Sequence, residues 1–111
     1  MIEREIDPQK AVDFIRDHGV KLANAKATRI YLEEFRKSKK ALLMKQSLET
    51  AVNAQERDAY SHPEYLQLLN DLRAAVEAEE TLKWHMVAAE ARIEVYRTVS
   101  ANNRALDKFT L

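Results

Sequence analysis

Glu79, Glu80, Glu90 and Glu94 recur at helical spacing in the second half of this 111-residue chain, and two carboxylates held together are ordinary equipment for general acid and base work. A sequence this rich in Glu also produces such spacings by chance, so a solvated acidic face is the expected reading. The histidines are no better placed as ligands. A di-iron or di-manganese bundle needs Glu-x-x-His motifs, and the residues three before His18, His62 and His85 are Ile15, Ala59 and Leu82. His-Glu-x-x-His and a Gly-rich phosphate loop are absent, and without cysteine there is no thiol nucleophile, disulfide or Cys-ligated zinc. His62, before Pro63, reads as an exposed turn residue and His85, beside Trp84, as an interfacial one. The expectation is a protein that is not an enzyme, with no cofactor, no metal and no small-molecule substrate.

Arg36, Lys37, Lys39 and Lys40 form a basic run with Tyr31 and Phe35 close by, the composition of a helix that tracks phosphates while aromatics stack on bases. Charge is segregated around it. Residues 16–46 carry nine Lys or Arg against three Asp or Glu, and residues 49–94 carry four against ten, within a net charge of zero. A basic helix beside an acidic one loses much of the positive potential that nucleic-acid binding needs. Direct nucleic-acid contact through these four residues therefore stands second to a protein-binding role.

The elements that must carry these groups are helices. Gly occurs once and Pro twice, while Ala, Leu, Glu, Lys, Arg and Gln dominate, which excludes a turn-rich β or α/β domain and predicts a single all-α domain over residues 1–111. Tyr60-Ser61-His62-Pro63-Glu64-Tyr65 marks a helix start: Ser61 and Glu64 have capping-box spacing, Pro63 suits the first turn, and Tyr60 and Tyr65 suit a hydrophobic staple. Asp7-Pro8 opens an earlier helix that carries Val12, Phe14 and Ile15 and is expected to stop near Gly19. The alternative is a helix continuing through Gly19 at a cost of about 1 kcal/mol relative to Ala.

The predicted elements are a short helix over about 8–18, long helices over about 20–59 and 63–100, and a frayed tail over 105–111. Together they describe a long antiparallel, coiled-coil-like helical hairpin with a short N-terminal helix. A chain this small has a limited core, so oligomerisation is expected too. If the hairpin turns at Ser61, residue i faces roughly residue 122 − i, which sets Phe35 near Val87 and brings the basic run beside Glu77, Glu79 and Glu80.

On the second long helix, Leu68, Leu72, Ala75, Glu79, Leu82, Met86, Ala89, Ile93 and Tyr96 alternate in steps of four and three, the period of a coiled-coil seam. Glu79, its one charged member, is expected to reach Lys39, Lys40 or Lys45. On the first long helix Ala27, Tyr31, Phe35, Leu42, Leu48 and Val52 supply the facing stripe. A further stripe, Trp84, Val87, Ala88, Ala91 and Val95, lies beside the seam and is left in water by a two-helix hairpin. Either the helix bearing Val12, Phe14 and Ile15 folds over it or another protein does, and these five residues are the candidate protein interface.

Three runs, Tyr31-Leu-Glu-Glu-Phe-Arg-Lys-Ser-Lys-Lys-Ala-Leu-Leu-Met44, Gln55-Glu-Arg-Asp-Ala-Tyr-Ser-His-Pro-Glu-Tyr65 and Ala91-Arg-Ile-Glu-Val-Tyr-Arg97, together with Glu79, Glu80 and Trp84, resemble small helical proteins of temperate bacteriophages and prophages, encoded in the early region near recombination and replication genes. Tyr96 stands where those proteins carry a second Trp. The resemblance implies a phage-encoded protein of the bacterial cytoplasm and supplies no catalytic residue or ligand. The acidic start lacks an apolar leader, and no uncharged apolar run approaches the ~18 residues of a membrane span. Cytoplasmic location without membrane contact is therefore expected. The functional expectation is a helical adaptor that binds a protein of phage or host DNA metabolism, with a protein partner, a homo-oligomer or both expected. The alternatives are direct nucleic-acid binding and inhibition of a host defence complex.

Overall fold

The computed structural model describes residues 5–109. It contains three helices, α1 (Pro8–Gln46), α2 (Val52–Ser61) and α3 (Pro63–Phe109), and no strand among the described residues. The all-α class stands. The helix boundaries differ from those expected at three places.

α1 begins where predicted: Asp7 Oδ1 accepts the backbone N–H of Gln9 at 3.0 Å and of Lys10 at 3.2 Å, and Pro8 occupies the first turn. It then runs through Gly19 without a break, so there is no separate N-terminal helix. Gly19 takes no positive φ and no left-handed cap forms there.

The unpredicted interruption is at residues 47–51, between α1 and α2. Ser47 Oγ donates to Asp58 Oδ2 at 2.5 Å and accepts the N–H of Glu49 at 3.2 Å, while Gln55 Nε2 donates to the Glu49 carbonyl at 2.9 Å. These bonds satisfy the turn from side chains, with no glycine or proline required.

The third correction is the capping box. Ser61 Oγ donates backwards to the Arg57 carbonyl at 2.8 Å, closing α2, and His62 Nδ1 instead accepts the N–H of Glu64 at 3.1 Å to open α3. His62, half-buried rather than exposed, takes an extended conformation at φ −67° and ψ 135°, as a residue preceding proline must. Tyr60 and Tyr65 do meet, edge to face at 5.3 Å between centroids. The helical stretch expected to fray over 105–111 is helix to Phe109, with Thr110 and Leu111 outside the described residues.

Contacts group the chain into two compact units. The α2 unit is Ala23–Glu80; the terminal unit joins the residues up to Leu22 to those from Thr81 onward.

In the α2 unit, Leu43, Ala59 and Tyr65 form a buried cluster with Met44 against it, one residue from each helix at its centre. Tyr65, Leu68, Leu72, Ala75 and Glu79 are the residues of α3 withdrawn from solvent in this unit, and Leu82, Met86, Ala89 and Ile93 continue the same spacing in the terminal unit. That is the predicted seam, except that Tyr96 is exposed.

The facing stripe on α1 is not the predicted one. Ala27, Tyr31, Leu42, Leu48 and Val52 are exposed, Tyr31 by 63 %, and only Phe35 is half-buried. Between Leu22 and Gln46 the covered positions are Leu22, Ala25, Arg29, Leu32, Glu33, Phe35, Lys39, Lys40, Leu43 and Met44. Three of these, Arg29, Lys39 and Lys40, are long cations, whose aliphatic stems can cover apolar surface while the charge stays in water, so counting apolar residues selects the wrong face.

Candidate interaction surfaces

Glu79 is 6 % exposed and is held by the Arg29 guanidinium, whose Nη1 also lies 3.0 Å from both oxygens of Glu33. The hydrogen bonds Arg29 donates, to Glu79 first and then Glu33, hold its pKa above its ordinary value. Glu79 was expected to reach Lys39, Lys40 or Lys45. Lys39 instead pairs with Glu64 at 3.0 Å and Lys40 with Glu56 at 3.5 Å. The cause is the register: with five residues of turn and all of α2 between the long helices, the pairs Arg29 with Glu79 and Leu43 with Tyr65 set residue i opposite roughly 108 − i in this unit, not 122 − i. Glu77, Glu79 and Glu80 therefore lie well away from the basic run.

Glu79 orders the seam, and Glu94 pairs with Arg97 at 3.0 Å on the helix surface. Among the described residues no three His, Asp or Glu side chains are grouped so as to hold a metal ion. His18 Nδ1 lies 3.0 Å from the Phe14 carbonyl, with its ring stacked on Phe14 at 3.9 Å.

Three of the four basic candidates come together in the α2 unit. Arg36, Lys37 and Lys40 line a groove of about 530 Å³ with Tyr60 and Tyr65, while Lys39 is turned aside to Glu64. Lys40 lies 4.7 Å from the centre of the Tyr60 ring. Its pKa is raised, mainly by its hydrogen bond with Tyr60, with Glu56 adding to the effect. The aromatics of this groove are not the expected pair: Tyr31 and Phe35 stack on each other at 5.8 Å along α1. Tyr60 joins only because α2 folds back, and the 47–51 turn that permits this carries no glycine or proline signal.

The apolar candidates are all in the terminal unit, and all five, Trp84, Val87, Ala88, Ala91 and Val95, are exposed. Trp84 is 67 % and Val95 48 % accessible. The first turns of α1 do pack in this unit, as Phe14 meets His85 edge to face at 6.1 Å and lines a cavity of about 400 Å³ with Ala11, Ala88 and Ala89. That contact covers the flank next to the seam and leaves Trp84 open. Of the two coverings considered from sequence, the intrachain one is made only in part: Phe14 reaches the Ala88 edge, while Trp84, Val87, Ala91 and Val95 stay exposed.

Beyond Ile93, Ser100 is the only described residue of α3 that is not exposed, so Tyr96, Val99, Leu106 and Phe109 extend the open apolar surface. Sequence reading missed this extension because it placed Tyr96 in the seam and took 105–111 as a frayed tail. Among the described residues no helix is long and apolar enough to cross a membrane. No family model, curated protein or solved structure matches the chain.

Proposed function

We propose that this chain is a non-enzymatic helical adaptor whose working surface is the open face of α3 around Trp84. The observation that supports it most is Trp84 itself: the sole tryptophan of the chain, two-thirds exposed, in line with Val87, Ala91 and Val95 on a helix whose opposite face is already packed. Tryptophan is the residue type most enriched at the energetic centre of interfaces, and contiguous apolar faces of this kind mark protein contacts. The resemblance to early-region phage proteins directs the search for a partner to phage or host DNA metabolism.

A second reading, direct nucleic-acid binding, is favoured by the groove that joins Arg36, Lys37 and Lys40 to Tyr60 and Tyr65. It is weakened by Glu56 on Lys40 and Glu64 on Lys39.

One paired experiment separates the two. Tagged wild type and Trp84→Asp/Val95→Asp are used to capture proteins from host cells, and both are titrated with single-stranded DNA at low and high salt. The adaptor reading expects proteins retained by wild type and lost by the variant, which keeps its helical circular dichroism. It fails if both chains retain the same set. Binding to DNA that falls steeply with salt and survives in the variant supports the groove reading instead.

A further inference from the structure

We propose that the occupant of the Trp84 face is a second copy of this chain, docked antiparallel across a two-fold axis between Ala88 and Ala91. The inference rests on reading that face as the interaction surface and names what covers it. Trp84, Ala88, Ala91 and Val95 are spaced four, three and four residues apart, a pattern that reads the same in both directions along the helix. An isologous antiparallel contact requires this property, since each residue must meet the partner residue at the mirrored position. Trp84 of each copy then faces Val95 of the other, and Ala88 faces Ala91. The two alanines at the crossing let the helix axes approach closely, while the larger side chains fill the space on either side.

Charge permits the pairing. At zero net charge two copies do not repel. Surface area calls for it. The chain exposes 8953 Å², where a compact monomer of its 12.8 kDa exposes about 6300 Å². The excess is larger than the roughly 800 Å² that each partner contributes to a stable interface. The packed core is correspondingly small: four of the seven buried apolar residues are the alanines Ala11, Ala54, Ala59 and Ala89. An α3 segment past Ile93 that is exposed on almost every side also needs packing from elsewhere, because isolated helices of that length are marginal in water.

The test is sedimentation equilibrium at about 100 µM, a concentration that saturates a specific interface of this size, with wild type and Trp84→Asp/Val95→Asp. Wild type is expected at twice 12.8 kDa and the variant at 12.8 kDa, with unchanged helical circular dichroism. Trp84 fluorescence should shift to the red as wild type is diluted through its dissociation constant. Direction is read by disulfide trapping, since the chain has no native cysteine: a mixture of Ala88→Cys and Ala91→Cys chains should cross-link, and Val95→Cys alone should not. A monomeric wild type overturns the inference but leaves the adaptor reading intact if the variant still loses captured partners. A variant that dimerises as wild type does overturns the inference and leaves the adaptor reading to the capture experiment. Rapid self-cross-linking of Val95→Cys means a parallel pair and overturns the geometry proposed.

Discussion

In the α2 unit a third helix folds back onto the seam, whereas in the terminal unit only two helix segments share it, and the burial of the two units differs accordingly. Leu43, Ala59 and Tyr65 are sealed in the α2 unit, and the cations on α1 are matched by Glu79, Glu64 and Glu56. The terminal unit offers Ala11 and Ala89 as its buried apolar residues and leaves Trp84, Val87 and Val95 in solvent. A heptad seam sets which faces meet, but two helices bury only one stripe each. A third element is what turns a stripe into a core, and the unit that lacks one is the unit with surface to offer.

The largest expected effect tests that difference directly. Leu43 is 2 % exposed at the junction of all three helices, so Leu43→Ala should destabilise the protein by about 2–5 kcal/mol through lost burial and a cavity that backbone on three sides cannot collapse to fill. Ile93, on the same kind of seam position in the terminal unit but only half-buried, should cost clearly less when changed to Ala. Urea unfolding of both variants measures this. Equal losses would mean that α2 adds no core and that the contrast between the units is only geometric.

The same contrast explains what could be read from sequence. The α3 seam was legible from Leu68 to Ile93 because nearly every member is apolar and its period is 3.5 residues. The α1 seam was not, because Arg29 and Lys39 occupy it and their partners lie some 50 and 25 residues away in the chain. The exposed Trp84 face was legible as well, being apolar yet off the seam. The groove was not: it depends on Tyr60 reaching Lys40, hence on the turn at 47–51, where the only local signs are the hydroxyls of Ser47 and Thr50. The capping box was over-read because His62 competes with Ser61 for the same role and, standing next to Pro63, already has the extended backbone a cap requires.

A smaller effect sharpens the comparison from the terminal side. Gly19 is helical, takes no positive φ, and an added Cβ there would meet nothing within 4 Å. Gly19→Ala should therefore stabilise the protein by about 0.5–1 kcal/mol, by restricting the unfolded chain and favouring helix. Hydrogen exchange should slow most in the amides flanking residue 19. A loss of stability would show that Gly19 is needed for a close approach that only an assembled form contains, which would strengthen the case for a partner on this unit.

The smallest effect concerns the ion pairs of the α2 unit. Lys39 lies 3.0 Å from Glu64 and holds its carboxyl below the ordinary 4.5, through the hydrogen bond first and its charge second, against a slight opposing effect of burial. The unfolded chain therefore binds this proton more readily than the folded one as the pH falls toward and below 4.5. The pair's contribution is fully present above that value and is lost as the pH drops through the lower folded value. In Glu64→Gln that contribution is missing at every pH, so wild type should melt slightly higher than the variant at pH 7 and the two should converge in acid. Glu64 is more than half exposed, so the gap should also shrink in high salt, as it does for pairs in contact with water. A gap that persists unchanged from pH 7 into strong acid would mean that Glu64 acts through packing at the start of α3, and that the charge pairs do not distinguish the α2 unit from its neighbour.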